Sequence, residues 1–206
     1  ILFACFSILP LLLILYFITR NGIAVINWEF LTQLPRPIGE AGGGIFNAIM
    51  GTGILIVLSS ILSIPFGITA GIYLSEKTEG KIANIARLCV VVLQGTPSIV
   101  IGIVAYIWVV APFQSFSALS GGVALSIMML PVIIKATEET LKLMPYHLKE
   151  ASLALGVPYY KTILKVILPT GLSGILTGIL LSVARITGEP APLLFTAFGN
   201  QFMNWN

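Results

Sequence analysis

The sequence predicts an all-α integral membrane protein. Three observations carry this: 57% of the 206 residues are apolar, only 9% are charged, and the mean hydropathy is +1.00. Such values belong to a chain solvated mainly by lipid. Charge-free stretches run from Ile1 to Thr19, Ala41 to Ser75, Leu88 to Ile134 and Val166 to Ala184. Each is close to or beyond the roughly 20 residues that cross about 30 Å of hydrocarbon. Backbone groups in lipid must be satisfied within their own segment, so these runs are expected as helices.

Dividing the longest run at the polar punctuation "APFQSFSALSGG" gives five spans, near residues 1–20, 45–73, 87–110, 119–136 and 162–187. The first run has no basic flank before it and no small-residue cleavage site, so it reads as a span rather than a signal peptide. Between the first two spans, Trp28, Leu31, Leu34 and Pro35 suggest a helix lying on the membrane surface, with Trp at headgroup depth. The chain begins at Ile1 and stops at Asn206 just past the fifth span. Residues 1–206 are therefore expected to form a single transmembrane domain truncated at both ends.

Lys and Arg fix the expected orientation, because short cytoplasmic loops carry the excess of both. Segments 74–87 and 135–165 hold Lys77, Lys81, Arg87, Lys135, Lys142, Lys149, Lys161 and Lys165, leaving Arg20, Arg36 and Arg185 elsewhere. Those two segments are assigned to the cytoplasm, and residues 21–44, 111–118 and the stretch after Glu189 to the outside. The formal net charge of +3 thus reports topology, not nucleic-acid binding.

Catalytic and metal chemistry find no support. Cys5 and Cys89 lie inside apolar runs, where a thiol behaves as a small hydrophobe. His147 is the one histidine and has no Cys or Asp neighbour for a metal site, aspartate is absent altogether, and no phosphate-binding glycine loop occurs. The chain is expected to have no catalytic residues, no metal site and no cofactor of its own.

The stretch "EASLALGVPYYKTILKVILP" at 150–169 interrupts this apolar pattern with a capped helix. Pro145 suits the first turn, Gly156 a left-handed C-terminal cap, and Pro158 the stop that can open a further helix. Leu148, Ala151 and Leu155 recur at three and four to give one small apolar stripe, while Lys149, Glu150 and Ser152 point elsewhere. Such a stripe fits either a connector at the lipid interface or a handle seated in a groove of a soluble partner.

Two polar intrusions are candidates for a substrate path. Arg185 ends the fifth span, where a charge in lipid costs at least about 2.5 kcal/mol, so it should face protein or water. Gly174, Gly178 and Ser182 form a small-residue stripe that Arg185 and Glu189 continue at three and four. The pair reads either as an anion site, with the guanidinium fork matching two oxygens of an oxyanion, or as a structural ion pair at a helix end. In "QGTPS", Pro97 should bend or unwind the third span. Thr96 and Ser98 would then either line a path or bond back to the helix. Pro65, Pro131 and Pro169 are expected to be kinks of the same sort.

Glu150, Ala151, Ser152, then Gly156, then Val166, Leu168 and Pro169 resemble the EAA loop of ATP-binding cassette (ABC) importer permeases, with Ser for the second Ala and Val for Ile. "LQGTPSIVIG" (93–102), "SALSGGVALSIMMLPVIIKATEETLKLMP" (117–145), "ARITGEPAPLLFTA" (184–197) and "NWEFLTQLPRPIGEAGGGIFNAIMGT" (27–52) are similar to the PstA-type family of phosphate-specific permeases, in similar order along nearly the whole chain. The resemblance implies a type I ABC importer transmembrane domain, MetI-like, with five spans here of a family six. Segment 136–163 would be the cytoplasmic coupling loop, docking through Leu148, Glu150, Ala151, Ser152, Leu155 and Gly156 in a cleft of the ATPase subunit. It further implies import of inorganic phosphate by alternating access along a path that includes Arg185, Glu189, Thr96 and Ser98. The implied partners are a PstC-type homologous permease, two PstB-type ATPase subunits that bind ATP and Mg, and an external PstS-type phosphate-binding protein. The implied location is the plasma (inner) membrane of a bacterium or archaeon, as a multi-pass protein. An ABC permease for sulfate or molybdate, and a secondary transporter, are the alternatives.

Overall fold

The computed structural model describes residues 2–37, 39–40 and 42–199; of residues 2–5 and 7 it describes the backbone alone. Cys5 and the tail from residue 200 therefore lie outside the described side chains. The chain divides into two compact units, one running to Gly51 and the other Thr52–Gly199. Every described regular element is helical.

In the first unit, α1 (Leu2–Gly22) is free of charge as far as Thr19, has Arg20 in its last turn and contains Pro10. A helix is present around Trp28 as the short α2 (Trp28–Thr32), where Asn27 caps the N-terminus by accepting from the Phe30 amide at 2.7 Å. Trp28 is 78% exposed. The glycines that follow let the chain fold back under α2, since a Cβ on Gly44 would lie 2.2 Å from the Phe30 carbonyl oxygen. Ile45 donates to that same oxygen at 2.9 Å, and α3 (Phe46–Glu76) starts at the next residue.

The second unit is built around α6 (Ala118–Lys142). A capping box between Ser117 and Ser120 starts this helix, and Ala124, Leu125, Met128, Met129 and Ile133 are buried along it. Lipid supplies no hydrophobic drive between helices, so close approach of small residues is what holds them. On α3, Ser59, Ser63, Gly67 and Gly71 recur at four and are all buried. A Cβ on Gly67 would meet Ile133 at 2.7 Å, and one on Gly71 would meet Thr137 at 2.5 Å. On α9 (Leu172–Thr187), the expected stripe does the same from the other side: Gly174 faces Thr140, Gly178 faces Ala136, and Ser182 is buried.

Between these helices the chain is broken twice. The third span was expected as one crossing with a bend at Pro97. It is instead two helices, α4 (Lys81–Gly95) and α5 (Ser98–Phe113), that diverge by 109°. Pro97 withholds a donor and Thr96 is extended, so neither residue can continue the α4 hydrogen-bond ladder. The fifth span likewise divides into α8 (Tyr159–Thr170) and α9, bent by 68°. That bend lies at Gly171, two residues after Pro169. A π turn precedes each downstream proline, Tyr106–Val110 before Pro112 and Ile163–Ile167 before Pro169, widening the ladder where a ring would strike the carbonyl four residues back. Pro65 and Pro131, expected as kinks like Pro97, remain inside continuous helices. By length and composition α3 and α6 can cross a membrane, and each bent pair can if counted as one span.

The loop expected at 136–163 starts later, because residues 136–142 continue α6. After Met144 comes α7 (Tyr146–Ala154), and beyond α9 the short α10 (Leu193–Thr196). α10 is pinned between α5 and α6. Gly102 leaves room for Pro192, whose Cα would be 2.7 Å from a Cβ there, and Ser120 donates to the Thr196 carbonyl at 2.8 Å.

Candidate functional site: a capped helix over a charged floor

The two basic segments meet at one end of the second unit. Arg87, on α4, donates its Nε to Glu138 of α6 at 2.8 Å, and Lys142 approaches the same carboxylate oxygen at 2.5 Å. The guanidinium also donates to the carbonyls of Leu74 at 2.7 Å, Lys77 at 2.8 Å and Thr78 at 3.0 Å. These are carbonyls at the end of α3 that no helical amide reaches, so one Arg closes α3 and ties it to α4 and α6. Glu138 is buried, with 2% of its side chain exposed. Burial of a carboxylate is tolerable here because two cations, Arg87 and Lys142, reach its Oε1. The sequence reading passed over this cluster. Its signal was present in Glu138, a carboxylate late in an apolar helix four residues before Lys142.

Above this floor sits α7. Pro145 occupies its N-cap, and Gly156 at φ +77° ends it. The Gly156 amide donates to Leu153 at 2.9 Å and the Val157 amide to Ser152 at 3.3 Å, the paired bonds of a Schellman cap. A Cβ at Gly156 would meet no atom within 4 Å, so glycine is required by the backbone conformation and not by crowding. Pro158 then caps α8.

The faces of α7 differ from the expected stripe. Ser152, which was expected to point away, is buried and shares a hydrogen bond of 2.9 Å with Thr162. Leu148, one turn earlier on the same face, packs against the cluster of Leu141, Ile163, Ile167 and Ile175. Leu155 is the C-cap residue and 84% exposed. Leu148 and Leu155 therefore do not share a docking surface. The free face carries His147, Glu150, Ala151 and Ala154, with Tyr146 and Leu155 at its margins. Lys149 lies at the edge of the buried face and forms an ion pair with Glu76, the last residue of α3. Tyr159 donates to the same carboxylate, and the Lys149 ammonium is 3.1 Å from the Tyr159 hydroxyl. Burial alone would lower the Lys149 pKa, but its hydrogen bonds to Glu76 and Tyr159 outweigh that and raise it above the ordinary lysine value.

Among the described residues, no hydrogen bond or ion pair joins the expected path residues Thr96, Ser98, Arg185 and Glu189 to one another. Thr96 is half-buried at the α4–α5 break and donates back to Val92 at 2.7 Å, the local bond of a helix end. Ser98 opens α5 and is also half-buried. The packing stripe of α9 passes from Ser182 to Ile186, both buried, so Arg185 falls beside it and is exposed. Among the described residues Arg185 and Glu189 form no ion pair, so of the two readings of the pair the structural ion pair at a helix end gains no contact to rest on. Glu189 lies past the end of α9 on the turn leading to Pro192, where the helical i,i+4 spacing no longer holds.

The comparisons with known proteins agree with this architecture. The family model for the binding-protein-dependent transport system inner membrane component matches residues 63–205. The phosphate transport system permease protein PstA of Yersinia pestis is 43% identical over 96% of this chain and 67% of its own length. The PstA proteins of Haemophilus influenzae and Pasteurella multocida are 38% and 40% identical, over 94% and 98% of this chain and 68% and 72% of theirs. Among solved structures, an inward-facing MetNI methionine ABC transporter superposes with a TM-score of 0.61 over 76% of this chain and 74% of that chain, at 21% identity, a likeness of fold alone. The helical architecture and these matches together show that the chain belongs to the family of binding-protein-dependent transport system inner membrane components.

Proposed function

We propose that the chain is the permease subunit of an ATP-driven importer of inorganic phosphate. The observation that carries this is the similarity, at 38–43% identity over 94–98% of the chain, to three phosphate transport system permeases. In this reading α7 is the coupling helix. Its free face, with Glu150, Ala151 and Leu155, seats in a cleft of an ATPase subunit, while Ser152, Leu148 and the Gly156 cap hold it in place. ATP and Mg bind at that PstB-type partner, whose closure and separation rock the spans between inward and outward states. A PstC-type permease completes the path and a PstS-type binding protein delivers phosphate at the far side. The setting is the inner membrane of a bacterium or archaeon.

Arg185 is the residue assigned to the anion. A guanidinium at the end of a span, exposed and with no ion pair among the described residues, must find its counter-charge in the partner permease, in water or in a passing oxyanion. Its planar fork matches two phosphate oxygens. Glu189 moderates the field so that the anion is released as well as bound. Thr96 and Ser98, at the α4–α5 break, supply hydroxyls to the same path.

The test is uptake of labelled phosphate, with sulfate and molybdate as competitors, in cells whose full-length subunit carries Arg185 or Arg185→Gln beside all partners. Phosphate-selective uptake lost in the variant at equal membrane abundance is the expected result. Unchanged uptake would remove Arg185 from the path, and preference for another oxyanion would overturn the phosphate assignment.

A further inference from the structure

We propose that Glu76 is a positioning residue for coupling: through Lys149 and Tyr159 it forms an ionic strut that carries movement of α7 directly into the end of α3. The inference rests on the reading of α7 as the coupling helix. Covalently, α7 is joined to α6 and α8 through short connections at Met144–Pro145 and Gly156–Pro158. The Ser152–Thr162 hydroxyl bond and Leu148 attach it further to α8. Leu148 rests on the apolar cluster of Leu141, Ile163, Ile167 and Ile175, against which Ile68 and Ile72 of α3 also pack, and α3 is itself packed through Gly67 and Gly71 onto the buried face of α6.

The polar contact that joins α7 directly to α3 is Lys149 to Glu76. It does not run through a packed apolar interface. Ser75, Glu76, Leu141, Met144, Tyr146 and Lys149 line a cleft of about 290 Å³ between the end of α3 and α7, and the ion pair bridges it. A cleft cannot transmit a push by side-chain packing, because atoms separated by a void lose their contacts within about an ångström. A carboxylate held by both an ammonium and a phenol can, since each charge-assisted bond fixes its partner's direction. Lys149 also lies 4.8 Å from the centre of the Tyr159 ring, so the three side chains form a closed set with a defined geometry. Both ions are largely sheltered, at 21% and 22% side-chain exposure. From Glu76 the path is short: two residues back lies Leu74, whose carbonyl is held by Arg87, and then Gly71 against Thr137 of α6. A displacement of α7 thereby reaches α3, α4 and α6 together.

The experiment uses the full-length subunit assembled with its partner permease, ATPase subunits and binding protein in lipid nanodiscs. Cys5 and Cys89 are replaced by serine, and spin labels are placed at Tyr73→Cys on α3 and Leu153→Cys on α7, both exposed positions and neither on the docking face. With native Glu76 the label-to-label distance is expected to stay the same without nucleotide and with a non-hydrolysable ATP analogue, because the strut moves α3 with α7. In Glu76→Gln the distance should change with nucleotide. The exchange Glu76→Lys with Lys149→Glu should restore the native behaviour. In proteoliposomes, phosphate taken up per ATP hydrolysed should fall by roughly fivefold or more in Glu76→Gln, the low end of ordinary coupling between sites. A residue that only stabilised the fold would lower the melting temperature in both nucleotide states and leave the distance insensitive to nucleotide. A nucleotide-independent distance in Glu76→Gln would overturn the proposal. Should the native complex move no phosphate, the substrate reading fails, while the distances still decide the strut.

Discussion

Thr137 and Gly71 face each other at the tightest crossing of α3 and α6, where a Cβ on the glycine would sit 2.5 Å from the Thr137 Cβ. Gly71→Val should therefore separate the two helices, at a cost of about 1–3 kcal/mol for overpacking or more where backbone must move. Gly53→Ala, where nothing lies within 4 Å, is the control that should leave the melting temperature of the purified complex almost unchanged. The Thr137 hydroxyl is fully buried and has no hydrogen-bond partner among the described residues. An unpartnered buried hydroxyl costs roughly 1–3 kcal/mol, so Thr137→Val, of the same shape, should raise the melting temperature. A lower one would mean that the hydroxyl bonds to something the fold acquires in the assembled transporter. At this scale the sequence was legible only in part. The α9 stripe of Gly174, Gly178 and Ser182 could be read from its spacing, but the equivalent stripe on α3 begins with serines and was overlooked. The role of Glu138 needed Arg87 beside it, fifty-one residues away, and no local spacing announces such a partner.

Among the elements, α7 shows how a cap and a face are read with different success. Its limits follow from Pro145, Gly156 and Pro158, because each residue restricts its own backbone, and the φ of +77° at Gly156 agrees with that reading. Its faces depend on which neighbours arrive, and there the apolar stripe misled: Ser152 is buried because Thr162 satisfies its hydroxyl, while Leu155 is left outside. The cap carries a prediction. Proline at 156 would lock φ near −65° and remove the amide that donates to Leu153, so Gly156→Pro should misdirect the end of α7. Glu150→Lys should instead reverse a charge on the free face without disturbing the fold. Both variants are expected to insert into the membrane and to hydrolyse ATP in the assembled complex with little phosphate uptake, measured side by side. Normal uptake in both would exclude docking through this helix. The α4–α5 break was announced by Pro97. Its size of 109° was not, since a proline sets only where a ladder fails and tertiary packing sets the angle.

For the whole molecule, composition alone fixed the class: a chain with so few charges must satisfy its backbone in helices. The basic residues foretold one shared end, and the Arg87–Glu138 and Lys149–Glu76 pairs join the two basic segments there. Family resemblance added what physics could not, because tetrahedral oxyanions of similar size present the same charge and oxygen geometry to a guanidinium. The most direct test is ATP-dependent accumulation of labelled phosphate in proteoliposomes carrying the complete complex, with the phosphate-loaded binding protein on the opposite face from ATP. The account predicts accumulation that requires ATP and is abolished by Gly156→Pro while ATP hydrolysis persists. Accumulation that proceeds without ATP, or that survives Gly156→Pro undiminished, would contradict it.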